Sequence, residues 1–296
     1  MAADGWYTFT GRDGEIIPPD VTRARIDESV TVIPAAAFEG NPSIEELECH
    51  FGVKKFEEYA FWNCPSLTRV IMPGVEEVED EAFCGCEELR YVECGELKII
   101  GNSAFDGCES LKSIDLPSGK IIKGHAFAGC TDLTNIEFGK KLESIRVGAF
   151  FLCPSLERIT IPLKDGIITE NNIFHLCKKL EQIDLVEGAL HETIAALLLE
   201  EWKYDMNDEM LSINQTLPNT PAGDDDDVGG KAQAVRMWIR AVLRKIIHYK
   251  AQHRSYLNEA ATILQLALPQ YIVIKNVLPF LELPSYTFEV GDHEEE

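Results

Sequence analysis

The sequence predicts an α/β repeat solenoid of seven coils, built on parallel strands, with a C-terminal α-helical region. Three observations carry that reading. Phenylalanines recur at Phe38, Phe61, Phe83, Phe105, Phe127, Phe150 and Phe174, separated by 23, 22, 22, 22, 23 and 24 residues. Apolar residues keep fixed offsets from them. Six positions on stand Ile44, Leu67, Leu89, Leu111, Leu133, Leu156 and Leu180, and nine on stand Leu47, Val70, Val92, Ile114, Ile136, Ile159 and Ile183. Each copy then ends in strict alternation, as in Leu111-Lys112-Ser113-Ile114-Asp115-Leu116, which marks a strand with one face inward. One such unit has too few apolar groups to form a core. Stacked units bury the columns against one another and pair their strands in parallel.

The elements follow in order. Residues 1–30 precede the first full copy; Trp6–Phe9 and Val21–Ile26 alternate and suit two short strands that cap the open end of the first coil. A cap is needed because a terminal core face would otherwise meet water. Residues 31–188 form the solenoid. Pro73, Pro117 and Pro162 follow strands where a missing N–H does little harm, and Gly95 and Gly139 occupy the same slot and suit a turn. Residues 189–216 are expected to close the other end, with Ile194, Leu197, Leu198 and Trp202 on one side of a helix over 189–202. Residues 217–230 are an acidic Pro/Gly linker containing Asp224 to Asp227. That run fails the calcium-loop pattern, since Val228 stands where a ligand oxygen is needed. Residues 231–288 are a helical region with an apolar tail. Val235, Trp238, Ile239, Val242, Ile246 and Tyr249 recur at helical spacing, and 255–268 either continues the helix or folds back near Ser255. Residues 289–296 form an acidic tail.

The segments "AFWNCPSLTRVIMP", "AFDGCESLKSIDLP", "AFAGCTDLTNIEFG" and "AFFLCPSLERITIP" resemble the BspA-type leucine-rich repeat. The stretches "LPNTPAG", "HYKAQHRSYLNEAATILQLALP" and "NVLPFLELPSYTF" are similar to the C-terminal extension of an expanded algal set of such proteins, a set with no assigned activity. The resemblance implies a leucine-rich-repeat fold and an interaction module.

Charge and motifs narrow the function classes. The net charge of −23 argues against nucleic acid as a direct partner. The charge is uneven: residues 231–254 hold seven Lys/Arg and no Asp or Glu. The first residues lack a basic start followed by an apolar run, and no stretch of 18 apolar residues exists, so neither a secretory signal nor a transmembrane segment is expected. A cytoplasmic location is the expectation. Six of nine cysteines (Cys64, Cys86, Cys108, Cys130, Cys153 and Cys177) occupy one repeat column three residues after the Phe. Their spacing is wrong for zinc, and a reduced, structural packing role is expected. There is no His-Glu-x-x-His, no Gly-x-Ser-x-Gly and no Gly-Lys-Ser/Thr phosphate loop. No catalytic residue, metal site or cofactor is therefore assigned.

Two features are candidates for binding. The exposed column ten residues after each Phe reads Glu48, Ile71, Glu93, Asp115, Glu137, Thr160 and Asp184. On adjacent strands its carboxylates would lie about 5 Å apart, a repulsion that either awaits a basic protein partner or is tolerated by solvated surface. The second feature is the basic helix with Arg236, Trp238, Arg240, Arg244 and Lys245. It suits a partner's groove, the chain's own acidic face, or ordinary packing on the domain. The leading expectation is a non-enzymatic scaffold binding a partner, with a basic one suggested by the acidic strip. The alternative is a structural or self-assembling protein that docks through its basic helix or apolar tail.

Overall fold

The computed structural model describes residues 5–12, 14–186, 204, 205, 208 and 229–267. Two strands, β1 (Tyr7–Phe9) and β2 (Arg23–Ile26), open the chain. Short and longer strands then alternate: β3 (Val32–Ile33), β4 (Glu46–Glu48), β5 (Lys55–Phe56), β6 (Arg69–Ile71), β7 (Glu77–Val78) and β8 (Tyr91–Glu93). The series continues with β9 (Ile99–Ile100), β10 (Ser113–Leu116), β11 (Ile121–Ile122), β12 (Asn135–Phe138), β13 (Ser144–Ile145), β14 (Arg158–Ile161) and β15 (Gln182–Leu185). A 3-10 turn (Asn171–Phe174) precedes β15, and a single helix, α1 (Gly230–Ala267), follows it. All pairing is parallel, as a coil of fixed hand requires. β1-β2-β4-β6-β8 form one sheet, β10-β12-β14-β15 a second, and β3-β5-β7-β9-β11-β13 a third.

The third sheet was not anticipated. Its signal lies in the sequence as apolar residues five positions before the first six Phe: Ile33, Phe56, Val78, Ile100, Ile122 and Ile145, all buried. Two-residue strands are too short for alternation to show, so only the column itself reveals them.

The core is a stack. Neighbouring rings of the seven Phe lie 4.4 to 5.8 Å apart at 3 to 12°. Parallel contacts of this kind contribute about 0.5–1.5 kcal/mol each beyond the area they bury. A second ladder runs beside it. The thiols of Cys64, Cys86, Cys108, Cys130, Cys153 and Cys177 donate to the carbonyls of Phe38, Phe61, Phe83, Phe105, Phe127 and Phe150 at 2.9 to 3.3 Å. Each is a weak bond, but it satisfies a buried carbonyl that would otherwise have only its own turn N–H. Asn41 fills the slot in the first coil, with Nδ2 donating to the Pro18 carbonyl at 3.3 Å.

The turn around each of the first six Phe carries two left-handed residues, and the turn around Phe174 carries one. Two positions after it stand Gly40, Gly85, Gly107 and Gly129, with Asn63, Leu152 and Leu176 in other coils. Two positions before it the conformation falls on Ala36, Tyr59, Glu81, Ser103 and His125, at φ of 51 to 61°. Left-handed backbone costs a non-glycine residue about 1–2 kcal/mol. Inter-coil hydrogen bonds such as Tyr59 N–H to Asp80 O (3.2 Å), Phe61 N–H to Ala82 O (2.7 Å) and Asn63 N–H to Cys84 O (2.8 Å) hold it in place.

Both ends of the solenoid are closed. At the first coil, Phe9, Val21, Ala24 and Ile26 join the core. The Glu15 carboxylate ties the cap together by accepting from Tyr7 Oη (2.7 Å) and from the Thr10 backbone N–H (3.0 Å). At the last coil, α1 packs on the 3-10 turn and buries Val235, Trp238, Ile239, Val242, Leu243 and Ile246. Lys231 Nζ donates to the Leu180 carbonyl at 2.7 Å. The helix expected over 189–202 lies outside the described residues, as do the linker from 217 to 228 and the tail beyond 267. The choice between one helix and a hairpin near Ser255 resolves as one continuous helix.

Two tests follow from this packing. Gly139 and Gly95 share one slot, yet a Cβ on Gly139 would sit 1.9 Å from the Pro117 carbonyl oxygen, whereas one on Gly95 meets nothing within 4 Å. Gly139→Ala should therefore cost about 1–3 kcal/mol, and Gly95→Ala should leave the urea midpoint near wild type. The nine cysteines are all free. Burial, with Asp106 and Glu81 nearby, pushes the Cys84 thiol up to about 11. Burial pushes Cys94 up to about 12 and raises Cys108 well above the usual thiol range. Because the thiolate is the reactive form, a disulfide reagent at pH 8 should label Cys84 first and slowly, faster as pH rises toward about 11. The column thiols should react only on unfolding.

Candidate functional site: the acidic strand face

The longer strands present their first and third residues outward and bury the alternate ones. The column predicted as a binding strip lies on this face. Its rungs are in register from Glu48 to Ile71 to Glu93, and again from Asp115 to Glu137 to Thr160 to Asp184. The first run extends further, to Arg25 and Thr8. Glu93, Asp115 and Glu137 are exposed, while Glu48, Ile71, Thr160 and Asp184 are half-buried.

The expectation that Glu93, Asp115 and Glu137 form three consecutive paired rungs needs correction. β8 and β10 belong to different sheets, and no bridge joins them. At other junctions a carbonyl at the strand entry receives one or two N–H groups of the next coil: Glu45 from Thr68 and Arg69, Thr68 from Arg90 and Tyr91, Thr134 from Glu157 and Arg158. The Arg90 carbonyl receives none from the fourth coil. At the strand exit, Cys49 N–H bonds Ile71 O (2.8 Å) and Met72 N–H bonds Glu93 O (2.9 Å). At the interrupted junction only the Cys94 thiol reaches the Asp115 carbonyl, at 3.6 Å. Three consecutive carboxylates create two like-charge junctions, and like charges opposite one another weaken a sheet. One of those junctions is open and the other, Asp115 against Glu137, stays paired.

Electrostatics are uneven along the strip. Its ends are neutralised: Arg69 lies 3.8 Å from Glu48, and Arg158 Nε lies 3.3 Å from Asp184. Arg90 pairs with Glu88 rather than with the strip. Among the described residues the three central carboxylates have no ion pair. Glu93 accepts only from Tyr91 Oη (3.4 Å) and Glu137 from Asn135 Nδ2 (3.2 Å). Partial burial and the neighbouring Glu137 push the Asp115 carboxyl above its usual range, as expected for an unpartnered acid beside a like charge.

The basic helix makes different contacts. Lys231 reaches the carbonyls of Leu180 and Lys178, Arg236 reaches Asn171, and Arg240 Nε lies 3.2 Å from Asp165. Trp238 is buried in the core, and Arg244 and Lys245 lie further along the same helix. These partners all belong to the last coil, so the helix closes the end of the stack and leaves the acidic strip uncovered by the contacts described. Among the described residues there is no group of three His, Cys, Asp or Glu placed to hold a metal ion, and no helix long and apolar enough to cross a membrane.

The architecture is that of a leucine-rich-repeat solenoid. A family model for the BspA type leucine rich repeat region matches six copies over residues 20–120 and 98–200; the chain belongs to that family. Repeat proteins of this class generally mediate protein–protein interaction. Among solved structures, a leucine-rich repeat protein from Bacteroides ovatus is 27% identical, over 55% of this chain and 42% of its own, at a TM-score of 0.46. This chain thus spans less than half of that protein's length. The T. pallidum leucine rich repeat protein is 23% identical over 60% and 83% of the two chains, also at 0.46. The pneumococcal vaccine antigen PcpA is 16% identical over 61% and 65%, at 0.29. No curated protein matches the chain.

Repulsion within the strip is itself measurable. Glu137→Lys places a cation beside Asp115 and should raise stability by about 0.2–1 kcal/mol. The gain should shrink between 0.05 and 0.5 M salt, about the range over which screening takes hold, as read by urea denaturation at each salt.

Proposed function

We propose that the chain is a non-enzymatic scaffold that holds a basic protein partner against its strand face. The observation that carries this reading is the charge distribution of the strip. Cations of the same face neutralise Glu48 and Asp184, while Glu93, Asp115 and Glu137 stay exposed and, among the described residues, without an ion pair. A protein that only needed a solvated face would gain stability by placing Lys or Arg between these residues. Leaving them unpaired costs stability and keeps a concentrated negative field for an incoming partner. The family's general role in protein interaction supports the same reading.

The test uses the intact protein and a Glu93→Lys, Asp115→Lys, Glu137→Lys variant whose circular dichroism matches wild type. Each is immobilised and exposed to extract, and captured proteins are identified, purified and titrated back. The expected result is a basic protein bound by the wild type, at least about tenfold more weakly by the variant, and more weakly at high salt. Equal binding by both proteins would return the strip to solvated surface.

A further inference from the structure

The interruption between β8 and β10 is more than a missing pair of strands. A cavity of about 270 Å³ opens there, lined by Arg90 to Gly95 on one side and by Ser113, Ile114, Asp115 and Pro117 on the other. That is far more than the ~30 Å³ a water occupies. Its floor is apolar, since Val92 and Ile114 are the inward residues of the two strands. Its rim holds Glu93 and Asp115, and the exposed ring of Tyr91 stands beside them. Its walls hold strand backbone without ladder partners. The Arg90 carbonyl accepts nothing from the next coil, and the Ser113 N–H donates to no carbonyl of the preceding one.

We propose that this opening reads a single arginine in an extended peptide of the partner, its guanidinium held between Glu93 and Asp115. The inference rests on the strand face being the partner surface and names what its centre recognises. Three acceptors line the opening: the carboxylates of Glu93 and Asp115 and the Arg90 carbonyl. A guanidinium carries five N–H donors in a planar fork and no acceptor, so it can serve carboxylates on separate strands at once. It is also less strongly hydrated than an ammonium and stacks on aromatic rings. Tyr91 already receives Arg69 at 5.5 Å, which shows that its ring can be approached by such a group. The free Ser113 N–H calls for a carbonyl, which a peptide backbone supplies and a free cation does not. Elsewhere on the face the described strands are paired with their neighbours.

The opening is held by its surroundings. On the opposite side of the same two coils, Glu77 pairs with Ile99 and Val78 with Ile100. Phe83 stacks on Phe105 at 5.2 Å. The two coils therefore stay in register while their outer strands stand apart, so the recess exists before any ligand arrives.

The probe is acetyl-glycyl-arginyl-glycinamide, titrated into isotope-labelled full-length protein at low salt and followed by amide chemical shifts. Controls are the same peptide with lysine and with citrulline, the neutral isostere. Saturable shifts centred on Tyr91 to Gly95 and on Ser113 to Asp115, absent with citrulline and weakened about tenfold by either Asp115→Asn or Glu93→Gln, support the pocket. Shifts of equal size along the whole column from Glu48 to Asp184, with arginine and lysine alike, overturn it and leave the strand-face reading standing. Absence of any saturable shift overturns the pocket alone, because the strand-face reading is judged separately by capture of its partner. Thermal denaturation of both variants, expected within 2 °C or so of wild type for exposed charges, guards against loss of fold.

Discussion

Every part of this molecule depends on one constraint: a coil of some 22 residues cannot bury its own apolar face. The Phe of each coil finds its neighbours only in the coils above and below, at 4.4 to 5.8 Å. Its carbonyl is satisfied by a thiol from the next coil. The left-handed turn beside it is held by hydrogen bonds that also cross between coils. Stability is therefore a sum over junctions. The two ends must be covered, which is why Phe9 and Val21 at one end and Val235, Trp238 and Ile239 at the other belong to the same core.

The same arrangement explains how one junction can open on its outer face without unfolding. Between the third and fourth coils the short inner strands, the Phe stack and the Cys108 thiol bond remain in place. Only the outer ladder is absent. A two-layered repeat can give up one ladder locally because the other layer holds the register. The strip of acids across that face then has two physical characters. Its ends are paired with arginines and behave as ordinary surface. Its centre carries charge that is unpaired among the described residues, beside exposed backbone, an arrangement that lowers stability and supports recognition of a basic group.

Much of the fold was legible because the repeat is redundant. Phe, Leu, Ile and Cys recur in columns, and any single ambiguous residue, such as Asn41 for Cys or Ile173 for Ala, is outvoted by the others in its column. The inner strands were missed because two residues leave no alternation to detect. The column of left-handed residues was missed because only Gly148 marks it with glycine before the Phe, while Tyr59, Glu81, Ser103 and His125 adopt the conformation under the constraint of neighbouring coils. The composition of the strip was legible residue by residue. Its pairing was not: nothing local to Glu93 or Asp115 says that their strands part, since the outcome balances like-charge repulsion against backbone pairing across residues 22 positions apart.

The sequence by itself determined the period, the inward columns, the strand that closes each repeat and the acidity of the outer face, because each is a local pattern repeated until it is unambiguous. Only the tertiary structure decided which junction of the sheet is open, which acids are neutralised, and that α1 closes the last coil with Lys231 and Arg240 engaged there. Those outcomes depend on distances between residues far apart in the chain. Such distances follow from how coils stack and from where the helix finds an uncovered core, and no single segment encodes them.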